Sequence, residues 1–126
     1  MMRRFQTLSE SESEIMQVIW RSGVPMTSGS LLNLFSHKGW KIQTLSTFLT
    51  RLVDKGVLQV EKRGRSNLYS PLLSEEEYHT QETRHLVNDL YHGDLRDFLA
   101  AFYGGRGVSR QEAEALKEWF DREAEK

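Results

Sequence analysis

The chain has 126 residues, with 17 Lys and Arg against 18 Asp and Glu, two Pro, nine Gly and no Cys. That length supports one compact domain, or a small domain with an appended segment, and 38% hydrophobic with 28% charged residues argues against disorder and low-complexity structure. Zero Cys excludes disulfides, thiolate zinc sites and a cysteine nucleophile. The net charge of −1 hides an asymmetry: residues 1–66 carry 10 basic and 5 acidic side chains, residues 67–126 carry 7 and 13. Such a split points to a polyanion-facing first part and a second part with another task.

In chain order, Met1-Met2-Arg3-Arg4-Phe5 has two cations but no apolar stretch behind them, so it is not expected to be a secretory signal. No apolar run approaches the roughly 18 residues of a membrane-spanning helix, so no membrane insertion and a cytoplasmic location are expected. Ser9 to Glu12 has the Ser-x-x-Glu form of a capping box, with Leu8 ahead as a staple. Ile15, Met16, Val18, Ile19 and Trp20 follow at helical spacing, and Gly23 and Pro25 stop the helix. Thr27 suits the N-cap of a short second helix carrying Leu31, Leu32, Leu34 and Phe35, ended near Gly39. Trp40-Lys41-Ile42 is expected as a brief strand. Leu45, Phe48, Leu49, Leu52 and Val53 then form the apolar stripe of a third helix, closed by Gly56.

Here the period switches to alternation. Val57 to Glu61 predicts a strand, Lys62 to Asn67 a turn, and Leu68 to Leu72 the returning strand. Ser74 to Glu77 repeats the capping-box pattern and opens a helix to about Tyr91, broken by Gly93. Leu95, Phe98, Leu99, Phe102 and Tyr103 make a further stripe, ended by Gly104-Gly105-Arg106-Gly107. A third such box, Ser109 to Glu112, precedes Ala113, Leu116, Trp119 and Phe120. The fold class expected is mainly α with a small β-hairpin. Residues 1–72 form a winged helix-turn-helix and residues 73–126 a helical dimerisation segment.

Three helices followed by a hairpin is the plan in which the third helix stands in the major groove and the hairpin reaches the flanking backbone. Opposite the apolar stripe of that helix lie Gln43, Thr44, Ser46, Thr47, Thr50 and Arg51, side chains suited to base edges and phosphate oxygens. A merely solvated face usually carries Glu and Lys, whereas Thr and Ser are poorer helix formers. The hairpin tip adds Lys62, Arg63 and Arg65, cations that suit DNA backbone and would make binding fall with salt.

Several runs resemble the penicillinase repressor (BlaI/MecI/CopY) family. They are Thr44 to Leu58, Leu8 to Trp20 with its Ile-Trp ending, Arg63-Gly64-Arg65 with Tyr69-Ser70-Pro71, Leu90 to Leu95, and Val108 through Glu112 to Leu116. The resemblance implies a bacterial homodimeric repressor on a palindromic operator of TACA/TGTA type, controlling β-lactam resistance or a related stress response. Thr44 and Thr47 match polar positions of the family's recognition helix, and Arg51 matches its Arg-Leu pair. Gln43 and Ser46 depart from well-known members, which carry Lys and Arg there. In β-lactam-responsive members a sensor-linked protease pathway ends in cleavage of an Asn-Phe bond. That bond aligns with Ala101-Phe102, where Phe is kept and Asn is not. The copper-responsive members use a Cys-x-Cys hook, which a chain without Cys cannot form.

A three-helix tail of this length cannot bury its apolar stripes alone, so they either pack back on the head or pair with a second chain. Pairing through Leu86, Leu90, Leu95, Phe98, Leu99, Phe102, Leu116, Trp119 and Phe120 suits a two-fold operator. His37, His79, His85 and His92 show no i, i+4 ligand pair, no Gly-rich phosphate loop follows a strand, and no nucleophile has a base beside it. No enzyme activity, metal or cofactor is expected. The rival reading is a winged-helix protein-interaction module without specific DNA binding, favoured by the neutral Gln43 and Ser46.

Overall fold

The computed structural model describes residues 5–126. Met1 to Arg4, on which the absence of a secretory signal was argued, lie outside the described residues. The chain divides into two compact units, residues 1–85 and 86–126.

The first unit is built on α1 (Glu10–Ser22), β1 (Met26–Thr27), α2 (Ser28–Leu34), α3 (Ile42–Asp54), β2 (Leu58–Arg63) and β3 (Ser66–Pro71), and takes in the start of α4 (Glu75–Tyr91). The capping box at α1 is complete: Glu12 N donates to Ser9 Oγ at 3.2 Å and Ser9 N donates to Glu12 Oε1 at 2.8 Å. Thr27 caps α2 through Ser30 N, as its hydroxyl suggested. Helix α2 ends at Leu34, and a short 3-10 turn at Ser36–Lys38 carries the chain to Gly39.

The expected strand at Trp40-Lys41-Ile42 is not formed. Lys41 is the N-cap of α3, Ile42 is its first residue, and Trp40 packs between the rings of Phe35 and Phe48 at 5.0 and 5.1 Å. The extra strand is β1, with Met26 opposite Tyr69 and Thr27 opposite Leu68, which gives a three-stranded antiparallel sheet in the order β1-β3-β2. The hairpin is tighter than the expected turn from Lys62 to Asn67. Pairing runs out to Arg63 opposite Ser66, leaving Gly64 and Arg65 as the two-residue loop. Gly64 has φ 61°, the left-handed value such a loop needs at its first central position.

The core lies where α1, α2 and α3 meet the hairpin base. Ile15, Met16, Ile19, Leu31, Leu45, Leu49 and Leu52 are fully buried, with Leu8, Phe35, Val57, Leu58 and Tyr78 close behind. Each such side chain contributes about 1.5–3 kcal/mol by leaving water. Leu34, expected on the apolar side of α2, is 53% exposed. The start of α4 belongs to this packing: Tyr78 is buried, its hydroxyl accepts from Leu8 N at 3.2 Å, and Trp20 Nε1 donates to Leu73 O at 2.9 Å. The unit therefore extends past residue 72, where the sequence had placed the head's end.

The second unit holds the end of α4, α5 (Leu95–Tyr103) and α6 (Arg110–Ala124). Asp94 caps α5 through Arg96 N, and Ser109 Oγ accepts from Glu112 N to cap α6. No residue from 86 to 126 is buried. Leu90, Leu95, Phe102, Trp119 and Phe120 are all more than 40% exposed, and Leu99, Tyr103, Val108, Ala113, Leu116 and Phe120 line a groove of about 900 Å³.

Candidate nucleic-acid interface

Helix α3 has two unlike faces. Leu45, Leu49 and Leu52 are fully buried, which fixes the rotation of the helix, because residues three and four apart share a side. The same rotation leaves Gln43, Thr44, Ser46, Thr47, Thr50 and Arg51 exposed together. Ser46, Thr47, Thr50 and Arg51 line a shallow depression of about 350 Å³ on that face. Thr47 Oγ1 donates to Gln43 O at 3.0 Å, one turn back along the helix.

The hairpin tip is exposed from Lys62 to Asn67. Arg63 Nε lies 3.4 Å from Glu61 Oε1 of its own strand, an exposed pair worth little. Neither Lys62 nor Arg65 has an ion pair among the described residues. The tip thus offers two cations outright and a third shared with a carboxylate.

A buried ion pair at the other end of α3 was missed by the sequence reading. Lys55, the C-cap of α3, places Nζ 2.6 Å from Glu12 Oε1 and 2.9 Å from Thr7 O. Glu12 is 1% exposed. Burial alone would raise its carboxyl, but the hydrogen bond from Lys55, the amide and hydroxyl of Ser9 and the lysine charge hold it below the ordinary value. The one carboxylate therefore caps α1 and ties down the end of α3. The capping-box pattern had announced only the first of these roles. The sole trace of the second is a Lys immediately before the helix-ending Gly56.

The remaining expected residues fall in the second unit. Leu86, Leu90, Leu95, Phe102, Trp119 and Phe120 are exposed, and Phe98, Leu99 and Leu116 are half-buried. Leu99, Leu116 and Phe120 share the groove, whereas Phe98 stacks edge-on against Tyr91 at 5.7 Å. The Ala101-Phe102 bond lies in the last turn of α5, with Phe102 65% exposed, just before three glycines of positive φ. His79 stands 3.6 Å from Glu75 and 3.5 Å from Glu82, yet among the described residues no three ligand-type side chains are placed to hold a metal ion. Among the same residues no helix is long and apolar enough to cross a membrane.

The family model of the penicillinase repressor matches residues 8–122. The chain belongs to the penicillinase repressor family. It is 30% identical over 115 residues to the penicillinase repressor of Bacillus licheniformis, covering 91% of this chain and 90% of that one. The methicillin resistance regulatory protein MecI of Staphylococcus aureus (strain N315) is 24% identical over 110 residues, 87% and 89% of the two chains. Among solved structures, the DNA binding domain of the repressor BlaI in solution superposes with a TM-score of 0.53 at 32% identity, covering 61% of this chain and 94% of that domain. The Bacillus licheniformis BlaI monomeric form in complex with the blaP half-operator gives 0.50 at the same identity and coverage. The penicillinase repressor family consists of transcriptional repressors and not enzymes, and this chain has its winged-helix architecture.

Proposed function

We propose that this repressor binds double-stranded operator DNA as a homodimer, α3 lying in the major groove of each palindromic half-site. Residues 1–72 carry the DNA contacts, the start of α4 completes that unit's core, and the apolar residues of 86–126 carry the pairing. Gln43, Thr44, Ser46, Thr47, Thr50 and Arg51 read or clamp the DNA, and Lys62, Arg63 and Arg65 hold backbone from the wing. The observation that carries this reading is the outer face of α3: six exposed hydrogen-bonding side chains over fully buried leucines, in the same unit as a cationic hairpin tip. The complex of the related BlaI with its half-operator supports it. Pairing through the groove and the apolar residues of the second unit is supported by their exposure: none of them is buried. The protein works in the cytoplasm, and a sensor-linked protease acting at Ala101-Phe102 releases the DNA.

The test is selection of sheared genomic DNA on the purified full chain at near-physiological salt, followed by sequencing of retained fragments. A few fragments sharing an inverted repeat are expected. Uniform recovery, or none, would overturn the reading in favour of a non-specific binder or a protein-interaction module. On the selected site, Arg51→Ala is expected to weaken specific binding. Arg63→Ala with Arg65→Ala should weaken all DNA alike and flatten the salt dependence.

A further inference from the structure

Two facts about the outer face of α3 go beyond the general statement that it contacts DNA. The first concerns Thr47. Its only hydroxyl proton is spent on Gln43 O at 3.0 Å, so it has none to donate to a base. What Thr47 still presents is its methyl group and the acceptor lone pairs of Oγ1. Its position borders the depression that Ser46, Thr50 and Arg51 complete. The second concerns Gln43, which is exposed one turn nearer the helix start. A carboxamide offers donor and acceptor side by side, the complement of adenine N6 and N7 in the major groove. Recognition helices reach base edges mainly through their N-terminal residues, where Gln43 and Thr47 stand.

We propose that α3 selects an adenine through the Gln43 carboxamide and, on a neighbouring base pair, the 5-methyl group of a thymine through the depression at Ser46, Thr47 and Thr50. In this assignment Thr47 reads through its methyl group and not as a hydrogen-bond donor. This rests on the reading of α3 as the recognition helix and adds which chemical groups of the DNA it recognises.

The experiment uses the full chain and its selected operator, with base analogues that each delete one group. Uracil in place of the critical thymine removes only the methyl and should weaken binding about 3–5-fold, the worth of one buried methyl. Thr47→Val keeps a methyl without the hydroxyl and should retain that penalty. Thr47→Ser keeps the hydroxyl without the methyl and should reduce it to near zero. 7-Deazaadenine in place of the critical adenine removes N7 and should weaken binding about 5-fold or more in the unaltered protein, and not in Gln43→Ala. All these positions are exposed on the helix, and the analogues alone test the unaltered chain. A uracil penalty that persists in Thr47→Ser, or a deaza penalty that persists in Gln43→Ala, overturns this assignment while leaving specific DNA binding intact. Loss of all sequence preference in the unaltered protein overturns the DNA-reading role of α3 as well.

Discussion

The two units of this repressor use apolar side chains in opposite ways. Between Leu8 and Tyr78, twelve hydrophobic residues are buried within one chain, and every fully buried leucine of α3 has an exposed polar neighbour one residue away. Between Leu86 and Lys126 nothing is buried, although Leu, Phe and Trp recur at the same helical spacing. Identical patterning therefore closes a core in the first unit and leaves a groove with an apolar lining in the second. Helix periodicity says which residues share a face. Whether that face is covered depends on how much chain remains to cover it.

The sharpest way to break this comparison is to truncate one leucine in each unit. Leu49→Ala should cost about 2–5 kcal/mol in urea unfolding, because it opens a cavity among packed neighbours. Leu99→Ala, which removes a half-buried groove side chain, should cost far less within a protomer but shift the association equilibrium seen by sedimentation. Equal effects on folding would show that both units have closed cores.

Removing the carboxylate that ties α1 to α3 comes next. Glu12→Ala strands a partly buried Lys55 and removes the acceptor for Ser9 N, half of the α1 capping box, and should cost about 3 kcal/mol in the same assay. Glu12→Gln should cost less because an amide oxygen can still accept from Ser9 N. The pH dependence separates the two roles. The folded carboxyl is held below its ordinary value of 4.5, so its stabilisation is present above that pH and is lost as pH falls through the folded pKa. The stability gap between the native chain and Glu12→Gln, followed by urea titration, should hold at neutral pH and narrow in acid below about pH 4.

Smaller effects sharpen the comparison at two turns. Gly64→Ala at the wing tip meets no atom within 4 Å, so its whole cost is the left-handed φ of 61°, about 1 kcal/mol or slightly more. In the second unit, His92 holds φ 53° between α4 and α5, with Gly93 N donating to Val87 O at 3.1 Å in the wrap that ends a helix. His92→Gly should relieve that strain and raise thermal stability by a net of about 0.5 kcal/mol, since glycine also gains freedom when unfolded.

Much of this was legible before any coordinates. The spacing of Leu45, Leu49 and Leu52 determined which side of α3 is buried and therefore that Gln43, Thr44, Ser46, Thr47, Thr50 and Arg51 face out. Serines at 9, 74 and 109 marked three helix starts, since a short side chain that caps free amides acts within its own turn. The resemblance over residues 8–122 carried the family. Tertiary structure alone decided the rest, and each case involves contacts between residues far apart in sequence. Trp40 is drawn into a ring cluster with Phe35 and Phe48 rather than into a strand, while Met26 and Thr27 find backbone partners only because β3 arrives beside them. Tyr78 joins the head's core across 70 residues to Leu8, and Lys55 reaches Glu12 across 43. Local propensity and period act over one or two turns. Pairing at such separations is set by the packed chain, where burial makes one arrangement of the available partners cheaper than the others.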